Sequence, residues 1–82
     1  MPLEGRTVVV TGAGGGLGRG IAEAVAEAGA HVIAGDLALE PVAETARRIE
    51  VGGGRAVPLV LDVTDPESIV AAVTRATRTF GR

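Results

Sequence analysis

Lysine, tyrosine, tryptophan and cysteine are all missing from these 82 residues, and Ser68 is the only serine. Without cysteine there can be no disulfide and no thiolate metal site. Without lysine or tyrosine, Schiff-base chemistry, Tyr/Lys proton transfer and a P-loop lysine are excluded within the chain. The eight basic residues are therefore all arginine, and against ten acidic residues they leave a net charge of −2. No long block of like charge is present, so no nucleic-acid or membrane surface is expected. Nothing reads as a signal peptide, and no apolar run approaches the ~20 residues of a membrane span. A cytoplasmic location is the default expectation, and no catalytic or metal-ligating residue is nominated.

Apolar residues make up 46% of the chain but are mostly alanine and valine, with Phe80 the sole aromatic apart from His31. A chain of this length is one small domain that buries ~60% of its unfolded surface. Small side chains each bury little area, so the core is weak for its length.

The organising stretch is Arg6 to Gly20. Thr7-Val8-Val9-Val10-Thr11 is a β-branched run, as expected of a parallel strand covered on both faces. It meets glycines at 12, 14, 15, 16 and 18 and then a helical pattern. A strand, a turn bare of Cβ atoms and a helix N-terminus together make a seat for a phosphate.

Along the chain, strands are predicted at about Arg6–Thr11, His31–Gly35 (ending at Asp36) and Ala56–Leu61. Helices are predicted at roughly Gly16–Ala28, Leu39–Val51 and from Thr64 to about Phe80. The inward stripes are expected to be Leu17, Ile21, Val25 and Ala28 in the first helix and Val42, Thr45, Ala46 and Ile49 in the second. In the third they are Ile69, Val73, Ala76 and Phe80. Thr64 and Glu67 read as a capping box. Pro58 marks its strand as an edge. The alternation implies an α/β fold of βαβαβα form, a parallel sheet with right-handed crossovers spanning residues 1–82 as one unit.

The literal dinucleotide fingerprint, with glycines at relative positions 0, 2 and 5, is absent from the cluster. What fits is Thr11-Gly12-x-x-x-Gly16-x-Gly18, and here the chain resembles the classical short-chain dehydrogenase/reductase family. Gly12, Gly15 and Gly18 also satisfy the TGxxGxxG spacing of the extended, epimerase-like branch. Asp62-Val63-Thr64-Asp65-Pro66-Glu67-Ser68 and the terminal Phe80-Gly81-Arg82 look like the classical one. The resemblance implies a Rossmann-type half with three layers and strand order 3-2-1. It also implies a cofactor-binding set of Gly12, Gly14, Gly15, Gly16, Leu17, Gly18, Asp36, Leu37, Asp62 and Val63. A glycine-rich turn without a ligand is the plain alternative.

Asp36 stands 18 residues after Gly18, near the ~20-residue offset at which a carboxylate meets the adenosine ribose. It would also repel a 2′-phosphate, by about 4 kcal/mol at 4 Å and an effective dielectric of 20. No arginine occupies Ala13 to Gly16 or Leu37 to offset this, so NAD is favoured over NADP. The alternative is a solvated turn aspartate. Asp62-Val63 offers a carboxylate beside a backbone N–H, which matches the amino group and ring nitrogen of adenine. In the family this position contacts adenine, although Asp62 would also serve simply to support Thr64.

The remaining polar residues carry less. His31 is expected to be packed or superficial, Arg19 an exposed first-turn arginine, and Arg47, Arg48, Arg75 and Arg78 solvated faces. Ser68 has no base nearby. By resemblance, family members continue into an NNAG strand, a catalytic serine and a Tyr-x-x-x-Lys pair, none of which is here. The chain is thus expected to be the cofactor half of an oxidoreductase acting on an alcohol or ketone, inactive alone, from a homo-oligomeric parent. A stand-alone module that senses or sequesters NAD, and the start of an extended-branch sugar epimerase or dehydratase, are the other readings.

Overall fold

β-Branched and alanine-rich segments alternate along this chain, and strands and helices alternate with them. A computed structural model describes residues 1–80. The elements are β1 (Thr7–Val10), α1 (Gly16–Glu27), β2 (His31–Asp36), α2 (Leu39–Val51), β3 (Arg55–Val60) and α3 (Pro66–Phe80). Gly81 and Arg82, the end of the terminal motif, lie outside the described residues. The strands are parallel in the order β1-β2-β3, with Val10 opposite Ala34 and Ala34 opposite Pro58. Pro58 thus sits on an edge strand, where a missing N–H is tolerated.

Successive residues of a strand face opposite sides of its sheet. On one face, Val10, Val32, Ala34 and Ala56 pack with Ala22 of α1 and with Val42, Ala46 and Ile49 of α2. α2 buries the four residues that its periodicity predicts, Val42, Thr45, Ala46 and Ile49. The opposite face carries His31 and Ile33. α3 packs against β1 and β2, with the Phe80 ring centroid 4.6 Å from that of His31. His31 is therefore a packing residue, and helix, sheet and helix form three layers.

Two helices turn inward a face that only partly matches the one expected. In α1, Leu17 is 81% and Ile21 45% exposed, while Ala22 is fully buried. In α3, Ile69 and Val73 are exposed, and the buried positions are Ala72 and Ala76. Val25, Ala76 and Phe80 pack inward as expected, but Ala22 and Ala72 take the places expected of Ile21 and Val73, one residue or about 100° of helix away. The small residues win the inner face because they let the helix lie close to the sheet. Gly18, Ala22 and Ala26 form that face in α1. The predicted cap is also displaced. Asp65, not Thr64, caps α3, its Oδ1 accepting the Glu67 N–H at 3.0 Å, with Pro66 in the first helical position.

β1 has β2 on one side only, and Val9 at its centre is 36% exposed. An apolar edge of this kind invites pairing with another chain. Sedimentation velocity of the 82-residue chain is expected to show self-association that Val9→Lys reduces. A wild-type monomer with a sharp cooperative melt would contradict this.

Candidate functional site

Parallel strands bring the three candidate segments to one end of the sheet. The Gly12–Gly18 turn follows β1, Asp36 and Leu37 close β2, and Asp62 and Val63 follow β3. Because β2 is central, Asp36 stands between the glycine turn and the Asp62 loop. The crevice beyond the carboxyl ends of the strands is where open α/β sheets bind ligands.

The turn uses its glycines unequally. Gly12 and Gly16 have φ of +64° and +56°, in the left-handed region that side chains disfavour. Gly15 is extended, with φ 169°. The backbone therefore requires glycine in the Gly12-x-x-x-Gly16-x-Gly18 spacing and does not require it at 15. Gly18 is fixed by proximity, since a Cβ there would collide with the Gly12 carbonyl oxygen and lie 2.6 Å from its carbon. A Cβ at 12, 15 or 16 would enter open space, so the outer side of the turn is an uncovered cradle.

α1 begins at this cradle without a side-chain cap and without an acidic residue in its first turn. The first N–H groups of a helix have no acceptor within it, and its dipole is positive at that end. An anion fits there.

Asp36 reaches back to the turn. Its Oδ2 accepts the Gly14 N–H at 3.1 Å and its Oδ1 accepts the Leu37 N–H at 2.8 Å. Each carboxylate oxygen retains a second lone pair, enough for two further donors such as the hydroxyls of a ribose. Leu37 itself is 70% exposed.

Asp62 is more heavily engaged. Its Oδ1 accepts the Thr64 N–H and hydroxyl at 2.9 and 2.7 Å. The Thr64 hydroxyl, and then its N–H, hold the Asp62 carboxyl below the usual carboxylate range. The Asp62 N–H donates to Ser68 Oγ at 2.9 Å, which gives Ser68 a structural task. An adenine at this loop would have to use Asp62 Oδ2 and the Val63 N–H.

Arg19 lies elsewhere than the sequence implies, and Thr45, buried as expected, carries a role at the turn that the sequence did not reveal. Arg19 is half-buried, not exposed: its Nε donates to Thr45 Oγ1 at 2.8 Å, and its Nη2 to the carbonyls of Gly14 and Pro41 at 2.9 and 3.1 Å. Thr45 is fully buried and donates to the Ala13 carbonyl at 2.6 Å. An arginine does therefore stand beside the glycine turn, with its Nε committed to the Thr45 hydroxyl and its Nη2 to two backbone carbonyls. A lone hydroxyl in the otherwise apolar stripe of α2 was the available signal.

Elsewhere, Arg47 and Arg48 pair with Glu44 on an exposed face of α2, Arg47 foremost in lowering its pKa to about 2. Two shallow concavities of about 440 Å³ each lie away from the glycine turn. One is between α1 and α2, near Glu23, Glu27 and Arg48, and the other is at Glu40 and Glu44. Neither brings together groups with an evident chemistry. Among the described residues no cluster of His, Asp or Glu has metal-site geometry, and no helix is long and apolar enough to cross a membrane.

Residues 6–82 match the family model described as short chain dehydrogenase. The 3-oxoacyl-(acyl-carrier-protein) reductase FabG of Thermotoga maritima is 37% identical over 82 residues, which is 100% of this chain and 33% of that protein. A probable oxidoreductase, EphD, of Mycobacterium tuberculosis is 44% identical over 74 residues, 90% of this chain and 12% of that one. The crystal structure of a hydroxysteroid dehydrogenase from Escherichia coli superposes with a TM-score of 0.93 at 31% identity, covering 98% of this chain and 34% of its own. The chain thus spans about a third or less of the length of these relatives.

Proposed function

This chain belongs to the short chain dehydrogenase family, and we propose that it forms the NAD-binding portion of an oxidoreductase that interconverts an alcohol and a ketone. The observation that carries the reading is the Asp36 carboxylate seated on the Gly14 N–H. It joins a ribose-binding group to a phosphate-binding turn in one rigid unit. On this reading the α1 N-terminus, from Gly15 and Gly16 through Leu17 and Gly18, holds the pyrophosphate. Gly12 shapes the turn, Asp36 and Leu37 meet the adenosine ribose, and Asp62 and Val63 meet adenine. The order of the strands lays these three contacts out in the order of the dinucleotide's own parts.

The bound dinucleotide supplies the hydride acceptor or donor. The chain's residues bind and orient it, and with no tyrosine or lysine present they supply no general acid of the Tyr/Lys kind. The chain alone is therefore expected to be catalytically inactive. Names such as 3-oxoacyl reductase and hydroxysteroid dehydrogenase among its relatives describe carbonyl–hydroxyl exchange, which supports the same substrate class here. A homo-oligomeric, cytoplasmic parent protein completes the proposal.

Asp36→Ala tests the cofactor assignment. Calorimetric titration of the full-length protein with NAD and NADP should show the preference for NAD falling by about tenfold or more, since roughly 1.4 kcal/mol is one decade. The repulsion removed, about 4 kcal/mol at close range, is ample for that. An unchanged ratio would remove Asp36 from the site.

A further inference from the structure

We infer that Arg19 and Thr45 form a strut that holds Asp36 in register with the glycine turn and so sets the preference for NAD over NADP; this rests on the dinucleotide reading above. Thr45 has one hydroxyl hydrogen. It goes to the Ala13 carbonyl at 2.6 Å in preference to the Pro41 carbonyl at 3.2 Å. The oxygen then accepts Arg19 Nε, while Arg19 Nη2 spans the Gly14 and Pro41 carbonyls. Two consecutive carbonyls of the turn are thereby bonded to a side chain of α2 and to an arginine that also holds the first turn of α2.

Gly14 is held at both ends of its backbone, its carbonyl by Arg19 and its N–H by Asp36. The fit leaves no slack, because a Cβ on Gly14 would lie 2.8 Å from Asp36 Oδ2 and 2.9 Å from Pro41 Cβ. Asp36, Leu37 and Ala38 lead directly into α2. If the strut is cut, α2 and the carboxylate that precedes it lose their reference to the turn. The phosphate cradle is spared, because it is backbone at the start of α1. The ribose end therefore bears the effect. Cutting the strut at Thr45 removes the acceptor of Arg19 Nε, while Nη2 keeps the backbone carbonyls of Gly14 and Pro41, so the loss of NAD selectivity comes through the displaced Asp36 carboxylate. Arg19 and Thr45 are positioning residues.

The test is calorimetric titration of the full-length wild type, Thr45→Val, Thr45→Ser, Arg19→Gln and Asp36→Ala with NAD and with NADP, folding being checked by far-UV circular dichroism. Thr45→Val is expected to weaken NAD about tenfold, the scale of one lost buried hydrogen bond, and to narrow the NAD:NADP ratio. Thr45→Ser, which keeps the hydroxyl, should restore both values. A folded Thr45→Val protein with unchanged constants, or with both cofactors weakened equally, overturns the inference. Should Thr45→Val fail to fold, Arg19→Gln is judged by the same two readouts. The two readings fail separately. A wild type that takes up no NAD, or an Asp36→Ala ratio that stays put, removes the dinucleotide reading itself. A responsive Asp36→Ala beside an unresponsive Thr45→Val removes only the strut.

Discussion

Gly18→Ala is expected to lose about 2 kcal/mol or more of stability and to weaken NAD binding at least tenfold. The added methyl would overlap the Gly12 carbonyl oxygen and lie 2.6 Å from the Gly12 carbon and 3.2 Å from the Ala13 Cα. All three obstacles are backbone, so no rotamer change relieves them and α1 must withdraw from the turn. Overpacking of this kind costs about 1–3 kcal/mol and sometimes more. Alanine's helix preference over glycine returns only about 0.5–1 kcal/mol. Withdrawal also displaces the N–H groups that face the cradle, so binding falls together with stability. Urea denaturation and calorimetric titration of the same protein read both effects. Gly15→Ala is the internal control for stability: its backbone is extended and its Cβ would meet nothing within 4 Å, so the urea midpoint should not change appreciably. If Gly18→Ala behaved like Gly15→Ala, the close approach of α1 to the turn would not be what shapes the site.

That contrast shows what the sequence made legible. The glycine cluster, its position between a valine strand and a helix, and the carboxylate at the end of the second strand could all be read from residue types and spacing. So could α2, where large and small apolar residues share one stripe and periodicity has a single solution. The sequence could not say which of two overlapping glycine spacings the backbone uses, because adjacent Gly15 and Gly16 satisfy both. Only the positive φ at Gly16 separates them. It also misdirects part of the inner faces of α1 and α3. Reading large apolar residues as buried fails where a helix approaches its sheet through glycine and alanine, as at Gly18, Ala22 and Ala72. Arg19 was misplaced for a related reason. Its environment is made by Thr45, 26 residues away, and by carbonyl oxygens, and carbonyls leave no mark in a sequence.

Ile33→Ala is expected to be the most disruptive core truncation, removing about 3–4 kcal/mol and leaving a large fraction of the 82-residue chain unfolded at 25 °C. Ile33 is fully buried, and it heads the largest fully buried side chains, ahead of Val32, Val42 and Thr45. It lies at the centre of the middle strand, opposite Val9 on one side and Val57 on the other. Truncating a buried isoleucine to alanine costs about 2–5 kcal/mol, the value depending on how far the surroundings collapse. Collapse is hard here. The buried positions of α3 are Ala72 and Ala76, whose methyl groups cannot reach into the void, and a central strand cannot shift without breaking two ladders. Domains of this size have roughly 4–12 kcal/mol of stability in total. A core of alanines and valines belongs at the low end of that range, so the loss takes most of what is available. Circular dichroism and urea titration of wild type and variant would measure it, with Val51→Ala, at a position 79% exposed, expected to stay within about 0.5 kcal/mol of wild type. A cost at Ile33 below about 1 kcal/mol would mean that α3 does not close over that face of the sheet, and the three-layer arrangement would have to be given up.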